Sequence, residues 1–327
     1  MLNKFLIIQT AFLGDVILAT SIVEKLHQAL PDSQIDFLLR KGNESLLNKH
    51  PIINEVIIWN KHDKKYDSLK RITKQIHQHK YDVVINLQRF ASSGLITSFS
   101  GAKLKIGFAK NPLSFSFNQK FPHNIGDGTH EIERNHQLIK AFTDNTPAMP
   151  KLYPSNNDYL AVEIYKKEKY VCMAPTSVWF TKQLPKEKWA ELINSISDNY
   201  QIYLLGSPAD VAACDEIKTL GKNKKVVNLA GKLSLLASAA LMQNAQMNYV
   251  NDSAPLHIAS AMNAPTTAFF CSTIPEFGFG PLAKNAKIVD VKEKLTCRPC
   301  GLHGKKECPE KHFKCGFDIV IAKKNIV

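Results

Sequence analysis

Short apolar runs rich in branched residues, each followed by a longer amphipathic stretch, recur along this chain and limit what it can fold into. Phe5–Ile8, Ile35–Leu39, Val56–Trp59 and Val83–Asn86 read as strands in the first half. Between the first two, Val16, Ala19, Val23, Leu26 and Leu30 recur at near-helical spacing, and Pro31 follows as a stop. Strand alternating with helix is the pattern of a mostly parallel sheet covered on both faces, because each crossover helix buries its apolar stripe against the sheet. The rhythm breaks between about 143 and 160, where Pro147, Pro150 and Pro154 stand among polar residues as in an interdomain linker. It then restarts. Tyr170–Ala174, Gln201–Leu205, Lys225–Leu229, Met247–Asn251 and Thr266–Phe270 read as strands, with helices at about 186–199, 208–220, 234–244 and 254–262. The expectation is two α/β domains, 1–150 and 160–327, facing each other across a cleft.

The 327 residues are enough for two such domains, each with its own core. A composition of 44% hydrophobic and 22% charged residues excludes disorder, collagen-like repetition and coiled coil. Lys and Arg number 42 against 29 Asp and Glu, a net charge of +13. That surplus favours an anionic partner, although lysines that only maintain solubility give the same count. Part of it sits at 61–80, where Lys61, Lys64, Lys65, Lys70, Arg71, Lys74 and Lys80 face only Asp63 and Asp67. No apolar run approaches the roughly 18 residues of a membrane-spanning helix. Met1–Ile8 suits a first strand better than a signal peptide. Seven cysteines, an odd number, suggest a reducing cytosol without a disulfide framework.

In open α/β sheets, ligands bind beyond the carboxyl ends of strands, where helix N-termini offer free N–H groups. Gln9-Thr10-Ala11-Phe12-Leu13-Gly14-Asp15 follows the first strand and lacks the glycine spacing of a dinucleotide fingerprint. Asp15 is placed either to cap the next helix or to accept a proton from a substrate hydroxyl. In Pro175-Thr176-Ser177-Val178-Trp179-Phe180-Thr181-Lys182, the hydroxyls of Thr176 and Ser177 and the lysine suit a phosphate-holding loop, with Lys182 as the point charge. Asn251-Asp252-Ser253-Ala254-Pro255-Leu256-His257 joins a strand to a helix whose N-terminus suits a diphosphate. His257 reads either as a structural histidine or as a ligand.

Taken in order, these segments resemble glycosyltransferase family 9, the ADP-heptose:lipopolysaccharide heptosyltransferases. Leu13-Gly14-Asp15-Val16, His130–Asn135, Pro175–Lys182, Gly206-Ser207-Pro208-Ala209-Asp210, Asn228–Leu235 and Asp252–His257 carry the resemblance. It implies a GT-B architecture of two Rossmann-like domains. The first would bind the acceptor, and the second a nucleotide-sugar donor. It also implies inverting transfer with no cofactor required for catalysis, acting on a lipid A–core acceptor at the inner face of a membrane. By resemblance, Asp15 is the general base. Thr176, Ser177, Lys182, Asp252, Ser253, Ala254 and His257 hold the donor diphosphate. Gly206, Asp210, Leu229, Gly231 and Lys232 lie near ribose and adenine. Gly14, Arg40, Lys103, Lys105 and Arg134 are acceptor candidates, with Arg134 equally able to pair with Glu131. The chain departs from the family at Thr176 and Ala254, where glycine is usual, at Leu184, where Trp is frequent, and at Gln9, where a cation is frequent.

Cys297, Cys300, Cys308 and Cys315 form a C-x₂-C-x₇-C-x₆-C series that suits either a structural zinc or unliganded thiols. The stretch at 61–80 is either a solvated helix face or a surface toward anionic lipid. A sugar-nucleotide epimerase of similar architecture is a second enzyme reading. A nucleic-acid-binding protein would explain the charge, but no RNP-like motif or helix-turn-helix pattern accompanies it, so no nucleic acid is expected.

Overall fold

The computed structural model describes residues 2–61, 65–322 and 326. The chain forms two compact units, Met1–Ile125 with Thr129–Tyr153, and Gly126–Gly128 with Pro154–Val327.

The first unit holds strands β1 (Lys4–Ile8), β2 (Gln34–Arg40), β3 (Ile53–Trp59), β4 (Val83–Asn86), β5 (Leu104–Phe108) and β6 (Gln119–Phe121). They pair in the order β3-β2-β1-β4-β5-β6, all parallel. Phe5, Leu6, Ile7 and Ile8 are fully buried, as expected where helices cover both faces of a parallel sheet. Helix α1 (Leu13–Ala29) is buried continuously from Val16 to Leu26. α2 (Lys65–Gln78), α3 (Ala91–Ser98) and α4 (Glu131–His136) complete the cover. Ile72 and Ile76 of α2 join Leu6, Ile8, Leu38, Ile57 and Val84 in one core cluster. This gives the exposed stretch at 66–80 an apolar inner face. Lys64 and the side chain of Lys65 lie outside the described residues.

The second unit repeats that strand order with β7 (Tyr170–Ala174), β8 (Gln201–Leu204), β9 (Val226–Asn228), β10 (Asn248–Asn251), β11 (Thr266–Phe270) and β12 (Ala286–Asp290), paired β12-β11-β10-β7-β8-β9. Its helices are α5 (Asn156–Val162), α6 (Lys186–Ser195), α7 (Val211–Leu220), α8 (Leu235–Gln243), α9 (Ala254–Ala261) and the short α10 (Lys314–Phe317). Trp189 of α6 is fully buried against Phe269 of β11, ring centroids 5.4 Å apart. Each sheet is doubly wound, with its switch point beside its first strand. The α/β, Rossmann-like fold expected from the sequence is the fold observed.

The stretch read as a linker contains the boundary between the units, Tyr153/Pro154, and is held by specific contacts on each side of it. Lys151 N–H donates to Thr20 Oγ1 (2.9 Å), and Tyr153 Oη donates to Glu24 (2.8 Å), which fastens it to α1. Ser155 then starts α5 through a reciprocal capping box with Asp158. No helix among the described residues is long and apolar enough to cross a membrane.

Candidate functional site

In the second unit, the switch point lies between β7 and β10. The loop leaving β7 and the loop leaving β10 meet there. Asn251, fully buried at the end of β10, donates to Pro175 O (2.8 Å) and accepts the Leu184 N–H (2.9 Å), tying both ends of the loop together. Gln183 Nε2 donates to Ser177 O (2.7 Å), closing the loop on itself with Thr176 and Ser177 half-buried. A 3-10 turn, Phe180–Lys182, ends on the lysine.

Lys182 Nζ lies 2.7 Å from Asp252 Oδ2, the two side chains only 15% and 7% exposed. Thr273 Oγ1 donates to the same carboxylate at 2.6 Å. Ser253 is the extended N-cap of α9, and its hydroxyl does not cap the helix, while Ala254 begins it. A cation and the positive end of a helix dipole therefore stand side by side at a strand's carboxyl end, an arrangement that suits a diphosphate. His257 is buried within α9.

The next two strands add the remaining segments. Gly231 N–H donates to Gly206 O at 2.9 Å, joining the loops after β9 and β8. Gly231 has φ +73°, and a Cβ there would lie 2.9 Å from Pro208 Cα, so a side chain is excluded. Asp210 accepts from Ser207 N–H (2.7 Å) and Oγ (2.6 Å), so its carboxylate caps the turn. Leu229 is buried and Lys232 exposed.

In the first unit, Asp15 occupies the first turn of α1, one residue after Gly14. Its Oδ2 accepts the Phe12 N–H at 3.2 Å. The loop before it is held by residues absent from the sequence-derived site. Lys61 Nζ donates to Thr10 O (2.8 Å) and Oγ1 (2.9 Å), and Asn43 Nδ2 to Ala11 O (3.0 Å). Gln88 Nε2 donates to Gln9 Oε1, which also accepts the Ala11 N–H (3.2 Å). Arg40 stacks over the Phe12 ring at 4.7 Å. Burial, with Arg40 nearby, lowers the Lys61 ammonium to about 8.

Three acceptor candidates lie elsewhere or are already engaged. Lys103 pairs with Asp82 at 2.7 Å where β4 and β5 begin, and Lys105 is near the start of β5. Both therefore lie toward the amino end of the sheet, not with Asp15 at the carboxyl end. Arg134 is 1% exposed and donates to Glu131 Oε2 (2.8 Å) and Thr129 O, so it serves an internal network with His123. Its partners hold the Glu131 carboxyl below the usual range despite burial.

The four clustered cysteines share one neighbourhood. Burial and the surrounding thiols push Cys315 up to about 12 and raise Cys300. Their sulfurs do not converge as zinc ligands do. Among the described residues, only Asp36, Glu55 and His79 bring three ligand atoms within 4.8 Å of one another. The possible zinc set, Cys297, Cys300, Cys308 and Cys315, is therefore not assembled in this arrangement.

Of the residues the sequence missed, Asn251, Thr273 and Lys61 stand at or just beyond strand carboxyl ends. Asn251 and Lys61 lay inside segments already singled out, but their partners are remote in sequence.

Two doubly wound α/β units, each with its switch point beside its first strand, are the architecture of the GT-B class of glycosyltransferases. The family model described as Glycosyltransferase family 9 (heptosyltransferase) matches residues 69–313, and the chain belongs to that family. It is 30% identical over 279 residues to lipopolysaccharide heptosyltransferase 3 of Escherichia coli K12, covering 80% of each chain. E. coli ADP-heptose lps heptosyltransferase II has the same fold, with TM-score 0.77 at 21% identity, covering 91% of this chain and 95% of that one. E. coli heptosyltransferase WaaC with ADP-2-deoxy-2-fluoro heptose superposes with TM-score 0.69 at 21% identity, covering 88% and 93%.

Proposed function

We propose that this chain transfers a heptose, or a closely related sugar, from an ADP-sugar to a hydroxyl of the lipopolysaccharide inner core, inverting the anomeric centre. The second unit holds the donor and the first the acceptor. The acceptor oxygen attacks the anomeric carbon and its proton passes to Asp15, while the sugar–phosphate bond breaks and its electron pair leaves with ADP. Charge develops on the leaving diphosphate. Lys182 and the N-terminus of α9 are fixed in advance where they can stabilise it, so the reading needs no metal at the donor site. Thr176 and Ser177 line the same loop. The segments Gly206–Asp210 and Leu229–Lys232 face the nucleoside. Gly14 and Arg40 stand beside the acceptor hydroxyl, and the basic surface of the first unit suits an anionic membrane carrying that acceptor.

The observation that carries this reading is the Lys182–Asp252 pair at the switch point of the second sheet, 2.7 Å apart and largely buried. Support for the adenine nucleotide comes from the related WaaC, whose solved structure contains an ADP-linked fluoro-heptose. Calorimetric titration tests the donor assignment. ADP is expected to bind the wild type at least tenfold more tightly than UDP, in EDTA as well as without it. Lys182→Ala is expected to weaken ADP by about 1–3 kcal/mol, the usual range for losing a charged hydrogen bond. Equal binding of ADP and UDP, or no effect of Lys182→Ala, would overturn it.

A further inference from the structure

The cysteine-rich segment holds none of the residues proposed for the donor, yet it lies against Lys182. Gly304 has φ +73°, and a Cβ there would stand 2.8 Å from Lys182 Cγ, 3.2 Å from its Cδ and 3.1 Å from Thr181 Oγ1. Only glycine combines that backbone conformation with room for the lysine stem. The next residue completes the contact through its main chain. Lys305 N–H donates to Thr181 Oγ1 (2.8 Å), and Lys305 O accepts the Thr181 N–H (3.1 Å).

Thr181, 1% exposed, is gripped from the other side by the end of β11. Ser272 Oγ lies 3.0 Å from Thr181 Oγ1, and Ser272 N–H donates to Thr181 O at 3.2 Å. The cysteine-rich segment is fastened to the same strand end, because Cys300 N–H donates to Ser272 O at 2.9 Å. A second arm reaches Asp252. Arg298 donates to Thr273 O (2.8 Å) and is anchored by Asp290 (3.1 Å), while the Thr273 hydroxyl holds the Asp252 carboxylate. Farther along, Phe313 packs on Phe180 with centroids 5.3 Å apart. The turn carrying Lys182 is thus clasped between β11 and the segment from 297 to 315, and both members of the Lys182–Asp252 pair are tied to that segment.

We propose that the cysteine-rich segment is a brace that positions Lys182 for the donor diphosphate, with Gly304 and the Lys305 main chain as its points of contact. This rests on Lys182 being a donor ligand. A free lysine stem samples many rotamers, and holding it in place before the nucleotide arrives removes that ordering cost from binding. Gly304 and Thr181 are positioning residues that act through Lys182, so their effects should vanish when Lys182 is gone.

A double-mutant cycle on the full chain, read by ADP calorimetry, tests this. Gly304→Ala is expected to weaken ADP about fivefold or more alone, and less than about twofold in a Lys182→Ala background. Thr181→Val removes the hydroxyl at nearly constant shape and is expected to show the same pattern, which keeps the test open if Gly304→Ala does not fold. Equal weakening in both backgrounds, or full ADP affinity in Gly304→Ala and Thr181→Val while Lys182→Ala weakens ADP, overturns the brace. If Lys182→Ala itself binds ADP like the wild type, the donor assignment falls, and the brace with it.

Discussion

Lys61 shows how much of the site depends on one side chain whose partner is 51 residues away. Its ammonium holds both the carbonyl and the hydroxyl of Thr10, in the loop that presents Asp15. Burial and Arg40 bring it down to about 8 from an ordinary value near 10.5. As pH rises through about 8, the native chain loses that charge, and the grip on the loop weakens. The kcat/KM profile should therefore have an alkaline limb near pH 8. Lys61→Arg should move the limb upward, and Lys61→Met should abolish it and lower kcat/KM at pH 7 about tenfold. An unchanged limb in Lys61→Met would assign it to another group. The stability effect has the opposite sign. Between about 8 and 10.5 the unfolded chain holds the extra proton, so the cost of burying a charged lysine is relieved as pH rises through that window. The sequence marked Lys61 only as the first of a basic run. It placed Lys182 and Asp252 at one donor diphosphate only by resemblance, and the fold adds that the two side chains pair with each other.

Elements with buried, branched strands were read nearly to the residue. Of the four edge strands, β3 and β9 were read, whereas β6, β12 and the inner β5 were not. β6 and β12 are edge strands with little burial, and β5 is half-buried at its start, so none has the continuous apolar run that marks β1 or β7. Missing β5 is why Lys103 was grouped with the acceptor site: without the strand, the end of the sheet it occupies cannot be assigned. What Lys103 does instead is visible at Asp82. That carboxyl is held down to about 2 by Lys103 first, and also by the N–H groups of Asn3 and Lys4, linking the starts of β1 and β4. Its folded value lies below its unfolded one, so its stabilisation is present above about pH 4 and lost as pH falls through about 2. Asp82→Asn should lower the urea midpoint at pH 7, and the gap from wild type should close between pH 4 and 2. A gap that persists at pH 2 would refute this. In the second unit, Gly231→Ala should cost about 1–2 kcal/mol in urea unfolding, because its positive φ and the nearby Pro208 Cα both oppose a side chain. Wild-type stability would show that the turn relaxes freely.

Across the whole molecule, two units with no short-period sequence repeat share the strand order 3-2-1-4-5-6. The order follows from burial pattern and crossover length, which unrelated residues satisfy equally well, so the fold class was legible while its internal resemblance was not. The proposed division of labour rests on what each switch point carries: Asp15 in one unit, and Lys182, Asp252 and the start of α9 in the other. The most direct test of that account supplies ADP-heptose and a lipopolysaccharide inner-core acceptor to wild type and Asp15→Asn, and measures heptosylated product and released ADP. The wild type should release ADP and heptosylate the acceptor in equal amounts, and only when acceptor is present. Asp15→Asn should bind ADP within about twofold of wild type and transfer about 10² to 10⁴ times more slowly, the usual contribution of a general base. A wild type that makes no heptosylated product, or an Asp15→Asn enzyme that transfers at the wild-type rate, would contradict it.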